Sequence, residues 1–421
     1  MSTSRAFHML AVGSRTLRQQ GARAAAQRAA RFAYQTLGAS ELEVPLDVRD
    51  IADSTRLRLA APDVRPARGS RLRIGWICTP PSLGSGGHTT MFRMIQALEE
   101  AGHATVLFLH DRFGGDVRHH ERIVREGWPD VRSEVVDVAG GIRGVDACIA
   151  TGWPSAHVLA SAGTQAMRRL YFVQDYEPYF YARGSEYALA EDTYRFGFRC
   201  IALGRMVGDL LRSEVGVDAD VTEFGCDTNV YRHLGPQSRS GVVFYTRPVN
   251  ARRGYLLGTL ALEKFHQRHP EQEIHVYGQK TVDLPFPVTN HGRLTPAQLN
   301  ELYNKTIAGI AMSFTNISLV AEEMLAAGTI PVVNDSPYAR ADLPSEFASW
   351  AKPTPGAIAD ALCALVEAEA IEARALQAAS SVRGDMWRPA QADVVRIVED
   401  EVYGPPSPEL QSIADSGGNN R

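Results

Sequence analysis

The chain has 421 residues, of which 44% are hydrophobic and 22% charged, and its formal net charge is −4 at pH 7. These values are ordinary for a globular protein and exclude wholesale disorder, and the length is that of two domains rather than one. A slightly acidic chain has no general attraction for polyanions, so we expect no nucleic-acid partner.

Five scattered cysteines without a C-x-x-C pair indicate reduced core thiols rather than a zinc site or a disulfide framework. Reduced thiols predict a cytoplasmic location. No apolar run reaches the roughly 18 residues that span a bilayer, and the start of the chain lacks a convincing cleavage site. We therefore predict neither a transmembrane segment nor a signal peptide.

The first 70 residues read as a basic helix followed by an irregular lead-in. Residues 1–40 contain no Asp or Glu, and residues 14–37 are rich in Ala, Arg and Gln, which predicts a helix. One interpretation is peripheral contact with the anionic inner face of the cell membrane. The other is a solvated helix, which we favour because its apolar face is mostly alanine. The arginines are Arg5, Arg15, Arg18, Arg23, Arg28 and Arg31.

Residues 71–230 alternate short apolar strands with helices. A Gly/Ser/Pro loop at 79–87 precedes an amphipathic helix predicted for residues 89–101. Continuous apolar strands that alternate with helices predict a parallel sheet covered on both faces. The predicted strands are Arg73–Cys78, Ala104–Leu109, Ala147–Ala150, Arg169–Val173 and Cys200–Leu203.

A second α/β series covers residues 231–387. It is followed by a helix at 388–404, which we consider able to cross back to the first series, and by a tail at 405–421 that we expect to be flexible. The fold class predicted is two doubly wound α/β domains. The strands predicted for the second are Val242–Tyr245, Glu273–Tyr277, Gly309–Met312 and Ile330–Val333, and its helices are Tyr255–His269, Pro296–Tyr303 and Leu319–Ala327.

Ligands of open parallel sheets bind beyond the carboxyl ends of the strands, which directs attention to four loops. The first is GSGGH at 84–88. Gly86 and Gly87 let backbone N–H groups approach a phosphate or sugar, and His88 begins the helix. A plain tight turn is the alternative. Asp111 at the end of the next strand keeps a nicotinamide-dependent enzyme open as a rival.

The second loop, QDYEPYFY at 174–181, crowds carboxylates and aromatic rings after a buried strand. Carboxylates bind paired sugar hydroxyls, and aromatic faces cover the C–H side of a sugar ring. The aromatic residues are also explained by packing, but Asp175 and Glu177 are harder to explain in that way. We take these two carboxylates as candidate site residues.

The third loop, 245–254, brings Arg247, Arg252 and Arg253 between a strand and a helix. A diphosphate leaving group needs such fixed positive charge, although a solvated basic loop is the alternative. The fourth loop, 313–318, presents N–H groups of a helix start through Thr315, Asn316 and Ser318. Glu323 follows within that helix and reaches a ribose or sugar hydroxyl if the helix points at the site.

These motifs resemble those of a known family. The segment EMLAAGTIPVV at 323–333 looks like the signature helix and strand of the retaining glycosyltransferases of family 4. Arg247 with Arg253-Gly254 resembles that family's arginine and lysine-glycine pair. FGCDTNVY at 224–231 is similar to its domain boundary, and Gly86-Gly87 to its glycine loop. The segments 173–181 and 190–197, with YTRP at 245–248, resemble the bacterial rhamnosyltransferase branch of surface-layer glycan assembly.

The resemblance implies a GT-B fold, in which two Rossmann-like domains face a central cleft. It also implies a dTDP-rhamnose donor, retention at the anomeric carbon, and no metal or other cofactor. The acceptor it implies is a glycan or a lipid-linked oligosaccharide. Two positions depart from the family pattern: Thr315 stands where the first of two glutamates is usual, and Arg253 replaces a lysine.

We hypothesise that Arg247, Arg253 and the helix start near Asn316 hold a nucleotide-sugar diphosphate. In this hypothesis Glu323 binds a donor hydroxyl, Gly278 and Gly292 flank the base, and the candidates of the first domain contact sugar and acceptor. One alternative is a nucleotide-sugar epimerase of the same fold. Another is a catalytically inactive glycan-binding subunit, which the threonine at 315 favours.

Overall fold

The computed structural model describes two compact units of the chain, residues 1–51 and residues 52–421. In the first unit the described part is 44–51, with one 3-10 turn at Val48–Asp50. The predicted basic helix and nearly all of the predicted tail lie outside the described residues. The second unit carries both sheets. Described residues are 44–248, 250–280, 283–317, 319–382, 384 and 387–405.

Residues 73–222, which we call the first lobe, form a seven-stranded sheet in the order β3-β2-β1-β4-β5-β6-β7. Every neighbouring pair of strands is parallel. The predicted parallel sheet is therefore confirmed. Its strands are β1 Arg73–Cys78, β2 Ala104–Leu109, β3 Glu134–Asp137, β4 Ala147–Ala150, β5 Arg168–Val173, β6 Arg199–Leu203 and β7 Asp220–Thr222.

The two outermost strands of the first lobe, β3 and β7, were not predicted. Both lie at sheet edges, have only four and three residues, and carry acidic side chains. Such strands lack the continuous apolar run of a strand buried on both faces. The helices of this lobe are α1 Gly86–Glu100, α2 Val117–Gly127, α3 Trp153–Ala162, α4 Ser185–Asp192 and α5 Arg205–Leu210.

Residues 242–351, the second lobe, form a six-stranded parallel sheet in the order β10-β9-β8-β11-β12-β13. Its strands are β8 Val242–Tyr245, β9 Ile274–Tyr277, β10 Thr289–Asn290, β11 Ala308–Ile310, β12 Ile330–Asn334 and β13 Ser349–Ala351. The helices from here to the end of the described chain are α6 Tyr255–Arg268, α7 Pro296–Lys305, α8 Leu319–Ala326, α9 Pro337–Asp342, α10 Pro355–Val366, α11 Ile371–Ser381 and α12 Trp387–Tyr403.

The last helix, α12, packs against α1 and β7 of the first lobe. Gln391 donates from Nε2 to the carbonyl oxygen of Arg93 at 3.0 Å. The Arg93 guanidinium also lies over the Trp387 ring, 4.9 Å from its centroid. The last described helix therefore packs against the sheet of the first lobe, which also contains the first strand, β1. None of the described helices is both long enough and apolar enough to span a bilayer.

Helix α1 begins earlier than its sequence pattern predicts. The loop was expected to continue through Gly87, but the helix starts at Gly86 with Ser85 as its N-cap. Ser85 accepts a hydrogen bond from the backbone N–H of His88 and so replaces a missing intrahelical partner. The predicted boundary was wrong because the serine cap offsets the low helix propensity of the two glycines.

A buried arginine ties together three connections at the amino ends of the second sheet. Arg239 donates from Nη1 to the carbonyl oxygens of Tyr303 and Thr306 at 3.0 and 3.1 Å. Its Nη2 donates to the carbonyl oxygen of Ala327 at 2.8 Å. The side chain is 0% exposed, and burial lowers the pKa of its guanidinium. Removing it would take a charged donor away from three buried carbonyl oxygens, of which those of Tyr303 and Thr306 also accept from Thr329 Oγ1.

We expect Arg239→Met to lower the free energy of unfolding by about 3 kcal/mol, because hydrogen bonds from a charged group to buried acceptors contribute that order of free energy. Thermal and chemical unfolding followed by circular dichroism measure the change. Arg293→Met, at an exposed position of the same lobe, is the matched control. Equal unfolding midpoints for the two variants would contradict this role of Arg239.

Candidate functional site

The loops at the carboxyl ends of the two sheets meet through the side chain of Asp175, which is only 4% exposed. Its Oδ2 accepts hydrogen bonds from Arg252 Nη1 at 2.7 Å and from Thr315 Oγ1 at 2.8 Å. Its Oδ1 accepts from the backbone N–H of Asn316 at 3.1 Å. Asn316 in turn donates from Nδ2 to the carbonyl oxygen of Gln174 at 2.8 Å. One loop of the first lobe is therefore bonded to two loops of the second.

Two opposing effects act on the Asp175 carboxyl. Burial raises its pKa, because water is removed from the charged form. The guanidinium groups of Arg252 and Arg253 lower it, and so do the hydrogen bonds from Thr315 and Asn316. We assign Asp175 as the ionised partner of Arg252, since their N–O distance of 2.7 Å is that of a charge-assisted hydrogen bond.

The neighbouring Arg252 and Arg253 have different surroundings. Arg252 pairs with Asp175, and its guanidinium carbon lies 4.0 Å from the centroid of the Phe180 ring. Arg253 donates from Nη1 to Ser313 Oγ at 2.7 Å. Burial, followed by the charge of Arg252, lowers the pKa of Arg253 to about 10. Among the described residues no carboxylate lies within 4.0 Å of the Arg253 guanidinium. This half-buried cation therefore has a neutral partner, Ser313, at hydrogen-bonding distance, while the charge of Asp175 acts on it from farther away.

Arg247 lies on the same loop but reaches into solvent. It is exposed, and its Nη1 is 3.4 Å from the hydroxyl of Tyr245. It lies close enough to Arg253 for the two positive charges to interact. Arg247 therefore supplies a mobile positive charge at the edge of the site, whereas Arg253 supplies a fixed one inside it.

The two glycines expected beside a base lie side by side. The N–H of Gly278 donates to the carbonyl oxygen of Gly292 at 2.7 Å. Gly278 has a φ of +107°, and a Cβ there would lie 2.5 Å from the ring of Tyr245. A side chain at 278 is therefore excluded both by the backbone conformation and by space. The Tyr245 ring is stacked on that of Tyr277, with centroids 5.1 Å apart.

Glu323 lies in α8 and faces the junction between the lobes. Burial raises the pKa of its carboxyl to about 7, Arg93 opposes that rise, and Asp227 adds to it. Arg93 is engaged with Asp227, whose carboxylate oxygen is 3.2 Å from Arg93 Nη2. A carboxyl with such a pKa can donate or accept a hydrogen bond near neutral pH, which suits contact with a hydroxyl group.

Glu177 is held at the start of helix α3. Its Oε2 accepts from the backbone N–H of Trp153 at 2.5 Å and lies 3.3 Å from the Tyr171 hydroxyl. The N–H of Glu177 donates to the Tyr194 hydroxyl at 3.1 Å. Burial raises the pKa of the Glu177 carboxyl to about 7, while the Trp153 N–H acts in the opposite direction. The carboxyl is thus fixed in place by one of its two oxygens.

The glycine turn borders the same region. A Cβ on Gly87 would lie 3.6 Å from Oε1 of Gln174, so this glycine is next to the loop that carries Asp175. His88 Nδ1 is 2.8 Å from Ser85 Oγ. Burial lowers the pKa of His88 and a backbone hydrogen bond at Thr79 opposes the change. We infer that His88 is mainly neutral at pH 7.

The sequence candidates are thus only partly brought together. Asp175, Thr315 and Asn316 are in direct contact, and Arg253 is beside them. Ser318 lies outside the described residues, so its assignment stays a prediction. From the sequence we placed Arg252 in a basic loop but did not choose it as a site residue. Gln174, Trp153 and Arg93 were not identified from the sequence. Trp153 acts through its backbone N–H, which no side-chain pattern reveals.

Two other features of the described residues do not form part of this site. A surface cavity of about 500 Å³ lies at the amino ends of β1 and β2, lined by Arg71, Arg73 and Glu134. It is at the opposite edge of the sheet from the loops described above. Among the residues that the structure describes, no three His, Cys, Asp or Glu side chains come together as ligands for a metal ion.

Solved structures of similar architecture establish the fold class. A glycosyltransferase from Rickettsia africae superposes with a TM-score of 0.58 at 12% identity, covering 80% of this chain and 100% of that one. Anabaena HepE in complex with UDP-glucose gives 0.60 at 14% identity, covering 78% and 100%. The chain therefore has the GT-B fold, two parallel-sheet lobes of Rossmann type.

Comparison of the sequence indicates a narrower group of similar proteins than comparison of the fold does. Residues 132–205 match the family model of the WsaF N-terminal domain, and residues 240–363 match that of the WsaF C-terminal domain. The O-antigen biosynthesis protein RfbC of Myxococcus xanthus is 32% identical over 264 residues, which cover 60% of this chain and 20% of RfbC. The chain spans about a fifth of the length of that relative. It is similar to WsaF in both of its lobes.

The raised pKa of Glu177 predicts how its contribution to stability depends on pH. The folded protein holds this proton more tightly than an ordinary glutamate with a pKa of 4.5. The stabilisation is therefore fully present below pH 4.5 and is lost as the pH rises through about 7. Glu177→Gln avoids that loss, so it should be more stable than the parent at pH 8, by up to about 3 kcal/mol, and not at pH 4.5.

Unfolding midpoints of the parent and of Glu177→Gln, measured from pH 4.5 to pH 8, test this expectation. Glu301→Gln, at an exposed position on α7, is the control and should follow the parent at every pH. A difference between Glu177→Gln and the parent that does not change with pH would show that folding does not shift the pKa of this carboxyl.

Proposed function

We propose that the protein is a glycosyltransferase that moves a sugar from a nucleotide-diphosphate donor to a glycan or lipid-linked acceptor in cell-surface polysaccharide assembly. The GT-B fold supports this assignment, and so does the similarity to WsaF and to an O-antigen biosynthesis protein. Anabaena HepE, which shares the fold, is solved with UDP-glucose, an example of the donor class.

The observation that carries the proposal is the state of Arg253. A guanidinium that is partly withdrawn from water is costly unless an anion compensates it, and the hydrogen-bonding partner of the half-buried Arg253 is the neutral hydroxyl of Ser313. Because these surroundings destabilise the charged form of Arg253, the pKa of its guanidinium is lowered. A diphosphate supplies the missing negative charge, and the guanidinium fork suits its oxygens. Arg247, on the same loop, adds a second positive charge from the solvent side.

The rest of the donor has complementary surroundings in the second lobe. We place the base beside Gly278 and Gly292, because a Cβ at Gly292 would meet open space and Gly278 is hydrogen-bonded to it. Glu323 is positioned to hydrogen-bond a hydroxyl of the donor, most simply on the ribose. Thr315 and Asn316 are assigned to the sugar, and the assignment of Ser318 to the phosphate stays a prediction from the sequence.

The reaction breaks the bond between the anomeric carbon and the diphosphate oxygen, which keeps the electron pair. A new bond forms from the acceptor oxygen to the anomeric carbon, and the departing phosphate takes the proton of the acceptor hydroxyl. Arg253 and Arg247 stabilise the charge that develops on the leaving group. No protein nucleophile is required, and the stereochemical outcome proposed is retention.

The first lobe orients the two sugars. Asp175 and Glu177 lie at the carboxyl end of β5, and Gly86, Gly87 and His88 border the same region. We assign Glu177 to the acceptor hydroxyl because one of its oxygens is anchored by Trp153 and the other is left for a ligand. Asp175 is assigned to the donor sugar side because it reaches the loops of the second lobe.

The donor we propose is dTDP-rhamnose, on the resemblance to surface-layer rhamnosyltransferases of the motifs around Asp175 and Arg247. Isothermal titration with dTDP-rhamnose, UDP-glucose and GDP-mannose tests this directly. We expect dTDP-rhamnose to bind at least tenfold more tightly, about 1.4 kcal/mol, than either of the others. Tighter binding of UDP-glucose would overturn the donor assignment and leave the glycosyltransferase assignment standing.

An epimerase is the second candidate, because a putative UDP-N-acetylglucosamine 2-epimerase from Listeria monocytogenes shares the fold at a TM-score of 0.50 and 10% identity. The two reactions differ in their need for an acceptor. Conversion of the nucleotide sugar without any acceptor, followed by mass spectrometry and NMR, would favour the epimerase. A product that appears only with a glycan acceptor favours transfer.

Arg247→Ala should lower kcat by about 100-fold or more, because removing a group that stabilises developing charge costs about 3 kcal/mol or more in the transition state. The unfolding midpoint should stay at the parent value, since Arg247 is exposed. Turnover with dTDP-rhamnose and a glycan acceptor is the measurement. Arg293→Ala, exposed in the same lobe, is the control, and equal turnover of the two variants would remove Arg247 from the site.

A further inference from the structure

A second carboxylate, that of Asp342, also joins the two lobes. Asp175 belongs to the first lobe and contacts the second, whereas Asp342 belongs to the second lobe and contacts the first. Asp342 ends helix α9 of the second lobe. Its Oδ1 accepts from the backbone N–H of Arg205 at 2.6 Å, and the N–H of Met206 is 3.4 Å from both of its oxygens. Arg205 and Met206 begin helix α5 of the first lobe. The carboxylate of one lobe therefore caps a helix of the other.

The local sequence of the first lobe is suited to this contact. Gly204, at the N-cap position of α5, has no side chain to cap the helix itself. Its φ is +91°, and a Cβ there would lie 2.7 Å from Oδ2 of Asp342 and 2.6 Å from the ring of Phe224. Any larger residue would therefore collide with the approaching carboxylate. The orphan N–H groups of α5 obtain their partner only while the lobes are together.

The two carboxylates form reciprocal contacts. Asp175 extends from the first lobe into hydrogen-bond donors of the second, and Asp342 extends from the second lobe onto donors of the first. Asp175 is buried and Asp342 is half-buried, and each receives its hydrogen bonds from the opposite lobe. Separating the lobes would leave five backbone or side-chain donors and two carboxylates to be solvated again.

We propose that Asp342 is a positioning residue which, together with Asp175, forms a reciprocal clasp that sets how far the lobes close. Asp342 acts through lobe closure rather than through contact with a substrate. Closure brings the Arg253 guanidinium and the carboxylates of the first lobe to the same ligand. The effect on turnover rests on the proposed glycosyltransferase function, whereas the effect on closure does not.

Spin labels on the two lobes measure closure without any donor. All five native cysteines are buried, so labels can be directed to cysteines introduced at exposed positions, Arg118→Cys in α2 and Gln267→Cys in α6. We expect one short-distance population in the labelled parent. Asp342→Ala should add a longer-distance population by double electron–electron resonance. A distance distribution identical to that of the parent would overturn the clasp.

Asp335→Ala is the matched control, because Asp335 lies seven residues away and pairs with Arg340 of its own lobe at 2.7 Å. Its distance distribution should match the parent, and a longer-distance population in this variant too would overturn the assignment to Asp342. If Asp342→Ala fails to fold by circular dichroism, Asp342→Asn takes its place. Asn keeps the size of the side chain but adds an N–H₂ donor that faces the donors of α5.

Measurements of KM and kcat distinguish a positioning role of Asp342 from general structural damage. Asp342→Ala should raise KM for the nucleotide sugar about tenfold, the usual effect of losing hydrogen bonds to a charged group, with kcat within about twofold of the parent. Asp335→Ala should leave both constants unchanged. An unchanged KM in Asp342→Ala would overturn the positioning role. Failure of the parent to bind any nucleotide sugar would instead refute the proposed function, and the spin-label distances would still decide the clasp.

Discussion

The arrangement of the molecule depends on one buried carboxylate, that of Asp175. A charged group removed from water destabilises a protein unless hydrogen bonds and opposite charge compensate it. All three donors that bind this side chain belong to the second lobe: Arg252, Thr315 and the N–H of Asn316. The charge is therefore compensated only when the lobes are close together, so a local electrostatic requirement controls a global arrangement.

The same requirement explains why two adjacent arginines are needed. Arg252 is committed to Asp175 and to the ring of Phe180, so it holds the lobes together. Arg253 points instead to Ser313, and Asp175 compensates its charge only from beyond hydrogen-bonding distance. The short 3-10 turn at Ala251–Arg253 gives these consecutive side chains different partners. One guanidinium joins the two lobes, and the other is the one we propose for the anion of the donor.

The contact with Asp175 also explains why a threonine is suited to position 315. The resemblance implies a glutamate at this position, and a glutamate would bring a second carboxylate against Asp175. Thr315 donates a hydrogen bond to Asp175 instead. In the site that we propose, the acidic group at this place comes from Asp175 of the first lobe. We therefore interpret the departure from the pattern as a relocation of negative charge rather than its loss.

The sequence by itself determined the two parallel sheets and most of their strands, because an apolar run buried on both faces is a local property. It also identified the loops that carry Asp175 and Arg253 and the helix that carries Glu323, since these segments follow from strand order. It could not assign the edge strands β3 and β7, because they are short and carry acidic side chains. The partner of Arg252 and the role of Asp342 depend on contacts between residues more than 70 positions apart, Asp175 with Arg252 and Asp342 with Arg205. Only the packing of one lobe against the other decides which buried charge meets which donor, and that packing has no signature in any short segment of the chain.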